Sequence, residues 1–145
     1  MIPKRIILHH SLTQDSGTVS WDAIRKYHME VLGWSAIGYH AGIELIGDHF
    51  EILIGRMMNE VGAHTAGHNK DSLGVCFVGN FDQSEPPPDQ WNLGIRLVAS
   101  LCDILHIRPD MIFGHTDFNP GKTCPGTKFN LHGFSRQVSE RLANQ

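Results

Sequence analysis

Three stretches of this chain carry side chains able to do chemistry. They are Ile7-Leu8-His9-His10-Ser11, Ile37-Gly38-Tyr39-His40, and Gly114-His115-Thr116-Asp117 running on to Pro120-Gly121-Lys122-Thr123-Cys124-Pro125. Two of them place histidines where an apolar, strand-like run ends, and α/β folds build their sites at strand ends and the loops beyond. Zinc takes imidazole and thiolate readily, and a catalytic zinc keeps three protein ligands and one open position. His9, His115 and Cys124 supply a His₂Cys set of that kind. Taken singly, each also fits a plainer role, as a hydrogen-bonded core histidine or a buried apolar thiol. Lys122 stands two residues before Cys124, and in extended backbone such residues point the same way. A cation beside a metal ligand has a use where a developing oxyanion must be stabilised. The alternative is a loop lysine in solvent.

Two other patterns imitate known sites. Gly114 and Gly121-Lys122-Thr123 follow a strand as a phosphate-binding loop does, but that loop needs four residues between its glycines and a helix after it. Here six intervene and Cys124-Pro125 follows, so nucleotide binding is rejected. His64 and His68 have the spacing of paired ligands on a helix. Gly67, Asn69 and the lack of a glutamate after His64 assign that segment to a loop.

The elements that must position these residues follow from periodicity. Ile6-Ile7-Leu8 reads as a short buried strand ending at His9 and His10. Ser20 is placed to cap a helix carrying Trp21, Ile24, His28 and Val31, which Gly33 stops. Ile43–Ile46 and Phe50–Ile54 form a hairpin about Gly47-Asp48, and Leu73–Val78 is a further strand. Asp89 is placed to cap a second helix with the stripe Trp91, Ile95, Val98, Cys102 and Leu105, closed by Pro109. Met111–Phe113 is a short strand, and Leu131, Phe134, Val138 and Leu142 mark a terminal helix. Interleaved strands and helices give an α/β fold with a central mixed sheet flanked by helices.

The whole chain sets outer bounds. Its 145 residues, 41% hydrophobic and 19% charged, suit a single soluble domain over residues 1–145. A net charge of −3 without a basic run argues against nucleic acid as partner. No apolar run reaches membrane-span length, so no membrane insertion is expected. The stretch after Met1-Ile2-Pro3-Lys4-Arg5 is too brief for a signal-peptide core, which implies cytoplasmic synthesis. Three widely spaced cysteines, Cys76, Cys102 and Cys124, form no disulfide framework. A charged, patch-poor chain of this size is expected to be a monomer.

Taken together, the segments resemble the type-2 N-acetylmuramoyl-L-alanine amidases, which include short phage endolysins, bacterial amidases and animal peptidoglycan-recognition proteins. The matching stretches are Ile6–Ser11, Gly33-Trp34 through Ile37–His40, Val61–His64 with Gly67-His68-Asn69, Ser72–Val75 through Val78–Asn80, and the loop from His115 to Pro125. They stand in the family's order across nearly the whole chain. The resemblance implies a central mixed sheet with flanking helices and one zinc held by His9, His115 and Cys124, with His10 at the neighbouring non-ligand position. It implies that Tyr39 and Lys122 assist the metal and that His64 and Asn69 rim the substrate groove. The implied reaction is zinc-dependent hydrolysis of the bond between N-acetylmuramic acid and L-alanine in peptidoglycan, as by a phage or prophage endolysin acting on the cell wall or periplasm after release. Non-catalytic relatives typically lack a ligand, most often the cysteine, which is present here. Recycling amidases tend to carry glutamate at the position of Tyr39, so tyrosine favours the lytic branch.

Overall fold

The computed structural model describes residues 1–13 and 20–144. Its strands β1 (Arg5–His10), β2 (Ala41–Ile46), β3 (His49–Ile54), β4 (Ser72–Phe77) and β5 (Ile112–Gly114) make one sheet in the order β3-β2-β4-β1-β5. β1 runs parallel to β4 and β5, β2 runs parallel to β4, and the β2–β3 hairpin is antiparallel, so the sheet is mixed as expected. β1 and β4 lie centrally and are apolar on both faces, as strands covered on both sides must be. Gly47, with φ +66°, makes the hairpin turn.

Side-chain alternation divides the molecule. One face presents Ile6 and Leu8 of β1 with Leu73, Val75 and Phe77 of β4. Helices α2 (Pro88–Leu105) and α3 (Leu131–Ala143) cover it with Ile95, Val98, Cys102, Phe134 and Val138. Trp91, Leu105, Leu131 and Leu142 pack at the margin of that core. Buried Gln90 on α2 donates its amide N–H groups to the carbonyls of Ile43 and Val78, tying the helix to β2 and to the end of β4. The opposite face carries Cys76 and Val78 beneath Trp21, Ile37 and Tyr39. Trp21 belongs to the short helix α1 (Ser20–Lys26), which continues as a π-helical turn over Tyr27–Val31 before Gly33.

Four sequence expectations shift. Ser20 lies inside α1 as its first residue, and the buried Glu44 carboxylate of β2 accepts the backbone N–H groups of Ser20 and Trp21. Asp89 lies inside α2, which starts on Pro88 with Pro87 at the cap position and no side-chain cap. That helix stops before Pro109, at His106, whose left-handed conformation (φ 54°) aims its N–H back at the carbonyls of Cys102 and Asp103. Met111 closes a 3₁₀ turn, and the strand starts at Ile112.

Candidate metal centre

β1 sends alternate side chains to opposite faces, so His9 and His10 part company. His9 sits beside Cys76 in register, on the face away from α2 and α3, and is 1% exposed. His10 turns the other way, where its Nδ1 accepts the N–H of Phe81 at 3.1 Å. His115 leaves the end of β5, the strand beside β1, and starts a 3₁₀ turn that Asp117 fixes by accepting the N–H of Gly114 at 2.8 Å. The following loop doubles back, because the N–H of Thr116 donates to the Cys124 carbonyl at 2.9 Å. Asp82 anchors the far side of that loop by accepting from the Thr123 hydroxyl at 2.7 Å and the Thr127 N–H at 2.8 Å.

These constraints bring together the three side chains singled out as ligands. One donor atom each from His9, His115 and Cys124 lies within 4.8 Å of the others. Nδ1 of His9 stands 3.6 Å from the Cys124 sulfur. The sulfur also accepts the backbone N–H of His10 at 3.2 Å, a bond that favours a thiolate. Burial nevertheless pushes the Cys124 thiol up to about 12, with the His10 N–H and the Lys122 charge pulling it back. Burial, then the positive charges that His64, His115 and His10 would carry, hold the His9 imidazole neutral. Half-buried His115 is shifted the same way by burial and by Lys122. Two neutral imidazoles and a thiol that only a strong positive centre would ionise are the donor set of a thiophilic divalent cation.

The other expected residues surround this centre. The Tyr39 ring lies 5.1 Å from that of His9, and the His115 ring 4.8 Å from it. Burial, then the nearby Cys76 and Cys124 sulfurs, keep the Tyr39 phenol protonated far above its usual range. Lys122 is exposed, and its charge reaches both His115 and Cys124. His40 is structural: Nδ1 accepts the Gly74 N–H at 3.0 Å, and the Nε2 side meets the Glu60 carbonyl at 2.9 Å. His64 and His68 separate as expected for a loop: His64 is buried beside His9, while His68 stacks on Phe118 with ring centres 4.1 Å apart. Asn69 uses its Oδ1 to accept the N–H groups of His64 and Thr65 at 2.9 and 2.8 Å.

Two hollows adjoin these residues, one at His115 and one at Tyr39. One, of about 500 Å³, is lined by Trp34, Ala63, His64, Asn69, His115 and Phe118, among others. The other, of about 420 Å³, is lined by Ser11, Thr13, Ile24, His28 and Tyr39, among others. Sequence reasoning passed over Trp34 and Phe118 as groove walls. A large aromatic beside Gly33 and another in a glycine- and proline-rich loop were the available signals. It also missed Cys76 as a neighbour of Tyr39, because an unspaced cysteine inside a strand reads as core.

The family model described as N-acetylmuramoyl-L-alanine amidase matches residues 1–127. The endolysin of Enterobacteria phage T3 is 34% identical over 126 residues, covering 83% of this chain and 78% of the relative. Peptidoglycan-recognition protein SC1a of Drosophila melanogaster is 30% identical over 127 residues; the match covers 83% of this chain and 66% of that protein, just under two thirds of its length. Among solved structures, the N-acetylmuramoyl-L-alanine amidase LysC from Clostridium intestinale superposes with a TM-score of 0.83 at 29% identity, covering 95% of this chain and 86% of its own. With its fold and matched residues alike, the chain belongs to the type-2 N-acetylmuramoyl-L-alanine amidase family.

Proposed function

We propose that this protein is a zinc-dependent N-acetylmuramoyl-L-alanine amidase, with residues 1–145 acting as one catalytic domain on peptidoglycan. The observation that carries the reading is the convergence of His9, His115 and Cys124, in a chain of this family. A zinc ion held by those three supplies Lewis acidity toward the amide carbonyl and lowers the pKa of water, to about 7 in favourable sites. Everything else in the step falls to the protein. Tyr39, kept protonated by burial, donates a hydrogen bond to the oxyanion that develops as the amide is attacked. Lys122 adds positive charge on the side of His115 and Cys124. The two hollows, at His115 and at Tyr39, offer room for the glycan strand and the stem peptide of such a substrate. His64 and Asn69 line the first hollow.

The phage relatives support an endolysin role, with action on the cell wall after release. Among the described residues no helix is long and apolar enough to cross a membrane. The enzyme acts as a monomer, and no nucleic acid takes part.

Mass spectrometry of digested sacculi tests the reaction. The expected products are new L-alanine amino termini beside peptide-free glycan strands. Cleaved glycosidic bonds, or no cleavage of sacculi or of small muropeptides, would overturn the assignment.

A further inference from the structure

The His64 ring occupies space that the sequence clears for it. A Cβ on Gly74 would stand 2.5 Å from Cγ of His64, and one on Gly62 would stand 2.6 Å from Cδ2. The ring therefore lies directly on the backbone of β4. The two Asn69 hydrogen bonds fix the main chain on either side of that position. Such confinement exceeds what a groove-rim residue needs, and both ring nitrogens face inward.

Their partners allow the protons to be placed. The Ser72 hydroxyl donates to the His68 carbonyl at 2.6 Å, and a carbonyl can only accept. Ser72 Oγ is then left with lone pairs toward Nε2 of His64, 3.4 Å away, so that nitrogen carries the hydrogen. A neutral imidazole has one N–H, so Nδ1 of His64 is an acceptor. It lies 3.0 Å from Nε2 of His9, which must donate. Thr65 Oγ1, 3.0 Å from Nδ1 of His64 and 3.4 Å from Nε2 of His9, offers the same hydrogen a second acceptor. With its hydrogen on Nε2, His9 presents a bare Nδ1 lone pair toward the Cys124 sulfur 3.6 Å away. His9, His64, Thr65 and Ser72 are each at most 8% exposed, so solvent competes little for these bonds.

We infer that His64 is a positioning residue: the buried relay His9–His64–Ser72–His68 carbonyl fixes the tautomer and ring angle with which His9 meets the metal. This rests on the metal reading above and gives His64 a task other than substrate contact. Histidine ligands commonly donate their second N–H to a fixed acceptor, and loss of that acceptor typically costs about 10–100-fold in metal affinity.

The direct test is the ¹⁵N spectrum of histidine-labelled, metal-free wild-type protein. The expected result is His9 as the Nε2–H tautomer, with its Nε2 hydrogen protected from exchange. His9 found as Nδ1–H would overturn the relay. Zinc affinity, measured by competition with a chromophoric chelator, supplies the second readout. His64→Phe weakens it by about 10–100-fold, and His64→Asn, whose Oδ1 can stand in for Nδ1 as acceptor, restores most of the loss. Wild-type affinity in a folded His64→Phe protein would also overturn the relay. Failure of the wild type to take up zinc would overturn the metal reading by itself, while the tautomer still decides the relay.

Discussion

Removing the sulfur of Cys124 takes away the softest of the three donors while leaving its space nearly filled. Cys124→Ser is therefore expected to lose bound zinc and peptidoglycan hydrolysis but keep the thermal midpoint of the chelated wild type. The His10 N–H still finds an oxygen there in place of the sulfur. Metal analysis and calorimetry of the purified variant check both halves. Tyr39→Phe deletes one donor that acts when charge develops, so kcat should fall by about 10²–10³ with little change in KM. Steady-state kinetics on a soluble muropeptide read that split. At this scale the sequence was informative about residue type, since two histidines at strand ends and a cysteine beside a lysine name their own chemistry. It was silent on Glu44, Cys76 and Ser72, whose roles arise only from what folding brings against them. Glu44 reads as one charge in a hairpin, yet it is buried against the start of a helix more than twenty residues upstream.

The elements are held by histidines as well as by apolar packing. Nδ1 of His28 accepts the Gly38 N–H at 3.0 Å, and Nδ1 of His40 accepts that of Gly74 at 3.0 Å. Burial is the leading cause that lowers both below the ordinary 6.5. The unfolded chain therefore binds protons that the folded one refuses. The resulting stability is complete above pH 6.5 and declines as pH falls below it toward the folded values. Urea midpoints of the chelated protein should drop between pH 7.5 and 5.5. His40→Asn, which keeps an acceptor for the Gly74 N–H but cannot titrate, should lessen that drop, the other buried histidines supplying the rest. A pH-independent midpoint in the wild type would contradict the assignment. On the other face Phe134 is fully buried among Phe77, Phe129 and Trp91. Phe134→Ala should cost about 3–5 kcal/mol in chemical denaturation. Among the described residues, periodicity found the five strands and three α-helices. It misjudged two helix starts because their caps come from β2 or from a proline, which local preference cannot foresee.

For the molecule as a whole, topology brings the site together. Placing β1 between β4 and β5 sets His9 beside the strand that releases His115, and the loop folded over them returns Cys124, 115 residues from His9 in sequence. No local signal specifies that meeting. The ordered family motifs implied it, and the sheet order supplies the physical reason. The same arrangement brings the rings of Tyr39 and His115 to 5.1 and 4.8 Å from that of His9, and each of those two residues lines one of the hollows. Stepwise zinc titration of the chelated protein, with metal content and release of L-alanine amino termini from sacculi followed together, tests this most directly. Hydrolysis should be absent without metal, rise in proportion to occupancy and level off at one zinc per chain. Undiminished hydrolysis by the metal-free protein, or full occupancy without hydrolysis, would contradict it.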